Sequence, residues 1–112
     1  MIWRIRDRGT FAALRREPAR ARGGVRVRSL RIAGADDPPR VAYAVGRPVG
    51  NAVARNRLRR RLRAAVHHHR DLLCDGTAYL VGAGPRASAM NPVELARTVG
   101  SLLAPPDPPA QS

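Results

Sequence analysis

The sequence predicts an α+β domain in which a few helices pack on one sheet. A length of 112 residues suits a single domain. Hydrophobic residues make up 44% of the chain and aromatic residues 4%, which is enough for a small, mainly aliphatic core. Segments with helical and strand periodicity follow one another in the order α-β-β-α-β-α, written α-β-β-(β)-α-β-α if one more short strand precedes the central helix. Strands separated by helices indicate a sheet with helices packed on it.

The first helix is predicted over residues 4–17. Phe11 and Leu14 are three positions apart and therefore share one face of this helix, and Thr10 is placed to cap it. A proline ends the helix, and residues 19–24 are expected to form a basic loop.

Two strands are expected next. Residues 25–32 alternate between apolar side chains and arginines, which is the pattern of a half-buried strand. A turn rich in Asp, Gly and Pro covers residues 33–40, and residues 41–45 form a second strand. Because the connection is short, we expect this second strand to lie antiparallel to the first. An apolar strand bounded by glycines is expected later, over residues 76–84.

The central helix is predicted to begin after Asn51, which can cap it, and to run to about residue 69. At 100° per residue, four residues fall within roughly 40° of one line and form the mainly apolar stripe of this helix: Leu58, Leu62, Ala65 and His69. The opposite side is polar: Asn56, Arg59, Arg60 and Arg63. Arg55 and Arg61 flank the apolar stripe, from which long side chains can reach solvent. This amphipathic pattern argues against a disordered basic tail.

The last helix has a strong start signal. Asn91 supplies a cap, Pro92 takes the first helical position and Glu94 follows three residues after the cap. Residues 104–112 are too rich in proline to continue a helix. We therefore expect an ordered domain over residues 1–103 and a disordered tail over residues 104–112.

The charge of the chain predicts a polyanionic partner. There are 21 basic residues and eight acidic ones, for a formal charge of +13, and every basic residue is arginine. The planar guanidinium fork matches phosphate and stacks on bases, although a coding bias toward arginine explains the missing lysines equally well. Residues 55–63, RNRLRRRLR, contain six arginines with only Asp71 as a nearby carboxylate. This favours nucleic-acid binding over a merely solvated face.

Other features of the sequence carry little chemistry. Cys74 is the only cysteine, so no disulfide framework or cysteine metal cluster is expected, and it is read as a small apolar residue. The consecutive histidines 67–69 diverge by 100° each on a helix and are unsuited to hold one ion together. Residues 81–87 contain only a fragment of a nucleotide-binding loop. With neither a membrane-length apolar run nor a signal-peptide core, a cytoplasmic location is expected and no membrane partner.

The stretch VGNAVARNRLRRRLR, residues 49–63, resembles the signature of the bacterial ribonuclease P protein subunit. In that family a Val-Gly-Asn-Ala-Val run leads into Arg-Asn-Arg, a basic doublet and a further arginine one turn later. The matching residues here are Val49, Gly50, Asn51, Ala52, Val53, Arg55, Asn56, Arg57, Arg59, Arg60 and Arg63. The order of the predicted elements along the whole chain also fits this family.

The resemblance implies an accessory subunit that binds the catalytic RNA of ribonuclease P and helps to remove the 5′ leader of precursor tRNA. It implies no catalytic residue in this chain and no required protein partner, because the catalytic centre and its Mg²⁺ ions belong mainly to the RNA. The implied RNA-binding residues are Arg47, Arg55, Asn56, Arg57, Arg59, Arg60 and Arg63. The family fold is a small α-β sandwich with an unusual left-handed β-α-β crossover. We further hypothesise that the Asn56 amide accepts a hydrogen bond from a metal-bound water or a ribose hydroxyl.

The chain departs from the family pattern at several positions, most of them in the region that the resemblance assigns to leader binding. The family often carries two aromatic residues four positions apart on the first helix, whereas this chain has Phe11 and then Arg15. An aromatic residue common on the first long strand is also missing, with Arg28 or Ser29 near its position, and Gly46-Arg47-Pro48 stands where Ser-Lys-Lys is common. We therefore expect a leader cleft of Phe11, Arg15 and Arg28 that relies less on stacking and more on charge. Phe11 also fits a plain core position.

Two other functions remain compatible with the composition. A structural ribonucleoprotein component, such as a small ribosomal protein, has the same basic character, and only the signature at residues 49–63 separates the two. A DNA-binding module is the third possibility, although a major-groove reader usually needs polar base-reading side chains as well as arginines.

Overall fold

The computed structural model describes residues 1–32, 34 and 36–104. It contains five strands and four helices. The strands are β1 (Trp3–Arg4), β2 (Arg20–Arg22), β3 (Val25–Arg31), β4 (Arg40–Val45) and β5 (Thr77–Ala83). The helices are α1 (Arg8–Arg16), α2 (Ala52–His68), α3 (Pro85–Ser88) and α4 (Pro92–Leu103), with 3₁₀ turns at Arg47–Val49 and Arg70–Leu72. The predicted α+β class is confirmed, while the predicted tail, from residue 105 onward, lies outside the described residues.

The strands form one mixed sheet in the order β1-β4-β5-β3-β2. Strand β5 pairs antiparallel with β3 and parallel with β4, and β1 adds to the far side of β4 in parallel. The second long strand, β4, runs antiparallel to β3 as expected, but the two do not pair with each other, because β5 lies between them. The apolar β5 is buried on both faces, so it gains most from the central position. The β4-α2-β5 unit joins two parallel neighbours, and its left-handed crossover remains a prediction.

The helices cover the two faces of the sheet. On one face, α2 and α4 enclose the larger core together with the alternate residues of β3 and β4, such as Val25, Val27, Val41 and Val45. On the other face, α1 inserts Leu14 against Ala78 and Leu80 of β5. The α2 stripe is buried as predicted at Leu58, Leu62 and Ala65, with Val66 in addition. The predicted sandwich of helices and sheet is thus observed.

The first helix is shorter than predicted, and a different residue caps it. Helix α1 begins at Arg8, and the Asp7 carboxylate accepts a hydrogen bond from the Thr10 backbone N–H at 2.8 Å. Thr10, the predicted cap, instead donates its hydroxyl to Asp7. These hydrogen bonds from Thr10 lower the pKa of Asp7 below its usual 3.8. Strand β1 occupies the beginning of the predicted helix, and β2 lies within the predicted basic loop.

The caps of the two longer helices are confirmed. The Asn51 side chain accepts from the Ala54 N–H at 2.9 Å, and the Asn91 side chain accepts from the Glu94 N–H at 2.8 Å. At the end of α2, the His69 ring lies over Gly100 of α4, with 2.9 Å between His69 Nε2 and the Ala96 carbonyl. The position of His69 toward the core, expected from the apolar stripe, therefore depends on a glycine in the facing helix.

An arginine from the sheet completes the end of the last helix. Arg20 lies on the edge strand β2, and its guanidinium donates to the carbonyls of Leu102 at 2.9 Å and Ser101 at 3.2 Å, and also to that of Ala104. The last carbonyls of a helix have no partners within the helix itself. Arg20 thus has a structural role that its basic context in the sequence did not indicate.

Candidate nucleic-acid interface

The polar side of α2 faces away from the larger core and forms one continuous surface. Burial of the apolar stripe fixes the rotation of the helix, so the residues on the opposite side must face outward. One open groove along this side is lined by Val53, Asn56, Arg59, Arg60 and Arg63. The four polar residues predicted to share a face therefore do so, and we call this set, Asn56, Arg59, Arg60 and Arg63, the arginine face.

Asn56 and Arg59 are bonded to each other within the arginine face. Arg59 Nη1 donates to Asn56 Oδ1 at 2.8 Å, while Arg59 Nη2 is 3.5 Å from the Val45 carbonyl oxygen. The Asn56 amide oxygen, which we hypothesised to accept from a ribose hydroxyl or a metal-bound water, thus already accepts from an arginine. Its NH₂ group makes no hydrogen bond within the described residues. Asn56 consequently holds one guanidinium in position.

Arg63 lies over an aromatic ring of the sheet. Its guanidinium carbon is 5.4 Å from the centroid of the Tyr43 ring, which is within the range of a cation–π contact. Burial raises the pKa of Tyr43 to about 12, and the positive charge of Arg63 partly opposes this shift. The phenol is therefore neutral at physiological pH. The Arg63 guanidinium contacts the Tyr43 ring while the residue stays exposed.

The other predicted RNA-binding residues are placed differently. Arg57 is exposed but lies outside the groove of the arginine face, and Arg47 is exposed on the 3₁₀ turn that precedes α2. Arg55 is half-buried, and its Nε atom is enclosed with no partner among the described residues. Arg61 is bound to the protein's own backbone, because its guanidinium donates to the carbonyls of Ser88, at 3.3 Å, and Met90. The run of six arginines thus divides into exposed and anchored members.

The three residues of the predicted leader cleft lie around α1 and the face of the sheet that it covers. Phe11 is half-buried and packs on the smaller core with Leu14, so its core role is observed. Arg15 is exposed on α1. Arg28 Nε donates to the Glu17 carbonyl oxygen at 3.0 Å, which ties this strand arginine to the end of α1. Leader binding by these residues stays a prediction.

The same face of the sheet carries a further arginine that sequence reasoning missed. The Arg26 guanidinium extends over β5 at Gly82, where the Cβ of any larger residue would approach Arg26 Nη2 to 3.3 Å. A larger residue at this position would require the guanidinium to move by a few tenths of an ångström. Alternation along β3 places Arg26 on the same face as Arg28, and the register pairs Arg26 with Gly82. That alternation was a usable signal, but the glycine partner was not visible without the register.

The electrostatics of the interface are those of uncompensated positive charge. Within residues 1–32, 34 and 36–104, the one ion pair joins Arg40 to Asp37 at 3.5 Å. The arginines of α2 therefore have no carboxylate partner in this part of the chain.

No group of three or more His, Cys, Asp or Glu residues comes together within the described residues either. Contact of Asn56 with a metal-bound water stays a prediction, because its amide oxygen has a second lone pair besides the one that accepts from Arg59. None of the described helices is both long and apolar enough to cross a bilayer.

Comparison with known proteins gives a consistent result. The family model for ribonuclease P matches residues 2–106. The chain is 38% identical to a ribonuclease P protein component of Nocardioides over 102 residues, which cover 89% of this chain and 87% of the relative. It is 44% identical to the corresponding protein of Beutenbergia cavernae over 69 residues, which are 62% of this chain and 58% of that relative.

Solved structures agree in fold. The RNase P protein from Thermotoga maritima superimposes with a TM-score of 0.76 at 20% identity, covering 89% of this chain and 94% of that one. The RNase P protein of Staphylococcus aureus superimposes with a TM-score of 0.74 at 21% identity, covering 90% and 92%. At these identities the similarity demonstrates a common fold. Together with the family match over residues 2–106, it leads to one conclusion: the chain belongs to the ribonuclease P protein family.

Proposed function

We propose that this chain is the protein subunit of a ribonuclease P, and that it binds the catalytic RNA through the arginine face of α2. The observation that carries the proposal is that Arg59, Arg60 and Arg63 share one open groove without a carboxylate partner in the described residues. A helix surface repeats about every 5 Å along its axis, so it presents several guanidinium groups to a folded RNA at once. Structured RNA exposes phosphates and 2′-hydroxyls more readily than base edges, which suits arginine.

The second part of the proposal concerns the precursor tRNA. The surface beside α1 carries Arg15, Arg26 and Arg28, with Phe11 half-buried next to them. Its charge suits a single-stranded 5′ leader, held more by phosphate contacts than by stacking. Arg26 strengthens this electrostatic interpretation, because its guanidinium lies close to Gly82 on the same face of the sheet.

The third part concerns the chemistry. We propose that the RNA subunit carries the catalytic centre and its Mg²⁺ ions, and that this chain orients RNA and substrate. The described residues include no acidic cluster suited to a protein-borne nuclease site. The chain then acts as the accessory subunit of an endoribonuclease that generates the mature 5′ end of tRNA, and its expected location is the cytoplasm.

Cleavage of precursor tRNA by a matching catalytic RNA, at low magnesium and with or without the full chain, tests the proposal. The sharpest variant is the pair Arg60→Gln and Arg63→Gln. Its matched control is the pair Arg22→Gln and Arg97→Gln, which removes the same charge from arginines beside Glu94. We expect the first pair to abolish most of the stimulation and the control pair to retain it.

The alternatives give different outcomes in the same experiment. RNA binding without stimulation would support a structural ribonucleoprotein component. Tighter binding to duplex DNA than to structured RNA would support a DNA-binding module. Equal loss of stimulation with both pairs of variants would mean that net charge, and not the arginine face, governs the effect.

The leader contact is tested with precursor tRNAs whose leaders differ in length. The gain in affinity from a longer leader should shrink as salt rises, and Arg26→Gln should reduce it at low salt. A leader contribution that does not respond to salt would contradict the electrostatic cleft.

A further inference from the structure

A second basic groove lies beside the arginine face, where the edge of the sheet meets α2. Its walls come from β1, from β4 and from the outward side of α2, and it has a volume of about 360 Å³. That volume is at the lower end of the range for small-ligand sites, so the groove has room for one nucleotide unit. The charged or aromatic residues that line it are Trp3, Arg4, Tyr43, Arg59, Arg63 and His67.

Trp3 forms the aromatic border of this groove. Its side chain is 40% exposed, although tryptophan is the largest apolar side chain of the protein. The Arg40 guanidinium carbon lies 5.3 Å from the ring centroid, and the indole N–H has only the Met1 sulfur, a weak acceptor, at 3.1 Å among the described residues. Part of the indole is therefore accessible to a ligand.

The backbone that carries Trp3 is fixed in place. The Trp3 N–H donates to the Pro39 carbonyl at 2.8 Å, and β1 pairs in parallel with Arg40 and Val41 of β4. The neighbouring Ile2 packs against the larger core. The indole thus projects from an ordered strand, which reduces the entropic cost of binding a ligand to it.

The groove is also strongly positive. Three guanidinium groups, those of Arg4, Arg59 and Arg63, line it beside the His67 imidazole, and none of the described residues that line it is acidic. Asp7 lies in a neighbouring depression on the other side of Trp3, which also contains Arg6 and Arg40. An aromatic ring next to several cationic groups matches a nucleobase attached to its phosphate. An acidic peptide would match the charge, but it would leave the indole without a stacking partner.

We propose that this groove, bordered by Trp3, Arg4 and His67, binds one unpaired nucleotide of the RNA partner. The base stacks on the Trp3 indole, and the phosphate lies beside Arg4 and His67. The groove shares Arg59 and Arg63 with the arginine face, so a single RNA strand leaving α2 reaches the sheet edge without a break. This inference rests on the proposed function, since it adds a single-stranded contact to the same interface.

Trp3 is the only tryptophan of the chain, so its fluorescence reports this site directly. The full chain is titrated with a five-nucleotide oligoadenylate and with an abasic ribose-phosphate oligomer of the same length. We expect the oligoadenylate to quench the tryptophan fluorescence and to bind at least about fivefold more tightly than the abasic oligomer. Equal binding of the two oligomers, or binding without quenching, would overturn the stacking proposal.

Variants locate the contact through the anisotropy of a labelled oligoadenylate. Trp3→Leu should weaken binding by about fivefold or more, whereas Trp3→Phe should retain most of it, because a phenyl ring still stacks. Arg4→Gln should lower the log–log salt slope by about 0.7, the value for one phosphate contact on a single strand, while Arg97→Gln on α4 should not. If Phe11→Leu weakens binding and Trp3→Leu does not, the oligomer binds beside α1 and the inference is wrong.

Failure of this inference is distinguishable from failure of the proposed function. Trp3 is partly exposed on a two-residue strand, and unchanged circular dichroism of Trp3→Leu controls for folding. If the chain stimulates precursor-tRNA cleavage but Trp3→Leu leaves oligoadenylate affinity unchanged, only the groove proposal falls. If the chain neither stimulates cleavage nor binds structured RNA, both proposals fall.

Discussion

Arg59 Nη1 donates to Asn56 Oδ1 at 2.8 Å, one turn along the outward side of α2. A free arginine side chain loses about 2 kcal/mol of rotamer entropy when a partner immobilises it. A guanidinium that is already held by a neighbouring amide has less to lose when RNA binds. The uncharged residue in the run of arginines is thus a positioning residue for Arg59, whatever else its NH₂ group contacts.

Asn56→Ala should therefore weaken binding of the catalytic RNA without removing a charge. We expect a loss of about fivefold, equivalent to ~1 kcal/mol, because Arg59 must then be ordered by the RNA. The slope of log affinity against log salt should stay unchanged. If Asn56 acts only through Arg59, the substitution has no further effect in an Arg59→Gln background. An additional loss there would indicate a direct contact, and unchanged affinity with unchanged magnesium dependence would exclude any role for Asn56.

Arg60 and Arg61 are adjacent in sequence, but substitution of Arg60 should affect RNA binding and substitution of Arg61 should affect stability. Arg60→Gln should lower the salt slope of RNA binding by about 0.7 to 0.9 and leave the free energy of unfolding unchanged. Arg61→Gln should lower the free energy of unfolding by about 1 kcal/mol, because it removes hydrogen bonds to the carbonyls of Ser88 and Met90. Urea denaturation and salt-dependent RNA binding separate the two effects. Similar behaviour of both variants in both assays would contradict this division.

Gly100 should not tolerate alanine, although alanine is the better helix former by about 1 kcal/mol. A Cβ at this position would lie 2.6 Å from His69 Nε2, and the ring is held against the Ala96 carbonyl. We expect Gly100→Ala to be destabilising by about 1–3 kcal/mol, as overpacked cores usually are. In a His69→Ala background the same change should become neutral or favourable. Thermal unfolding of the unsubstituted protein, the two single variants and the double variant measures these changes in stability.

The two elevated tyrosine pKa values predict how stability changes at alkaline pH. Burial raises the pKa of Tyr43 and that of Tyr79 from 10.0 to about 12 each. The unfolded state therefore releases these protons first, so stability is fully present below about pH 10 and is lost between pH 10 and about 12. Tyr43→Phe should make this loss smaller. Arg63→Gln should move the titration of Tyr43 to still higher pH, because a positive charge that favours the phenolate is removed. Ultraviolet absorbance of the phenolates, followed against pH, checks both expectations.

Features that depend on neighbours in the sequence were predicted well. Asn51 and Asn91 cap their helices because the cap, its acceptor oxygen and the N–H that it satisfies lie within three residues. The arginine face was predicted because helical periodicity alone decides which residues share a side. The Asp7 cap was missed because both Asp7 and Thr10 are good caps, and the structure uses them together.

Features that depend on distant partners were not predictable in the same way. Strand β1 has two residues, which is too short for any period, and it exists only because Trp3 and Arg4 pair with β4. Strands β3 and β4 are antiparallel, as expected from their short connection, but β5, which comes later in the chain, takes the place between them. Likewise, nothing local distinguishes Arg20 or Arg61, which bind backbone carbonyls, from arginines that stay exposed. Composition gives only the total number of arginines and does not separate the two kinds.

The attachment of Arg20 to the end of α4 has a practical consequence for surface immobilisation and labelling. Arg20 belongs to β2, the strand at the far edge of the sheet from β1, and its contact with the Leu102 carbonyl places the start of the C-terminal segment at that edge. A fluorophore or biotin attached at Ala104, the residue that follows α4, would therefore be tethered on the side remote from Trp3. Sensor chips prepared this way would leave both basic grooves turned toward the solution.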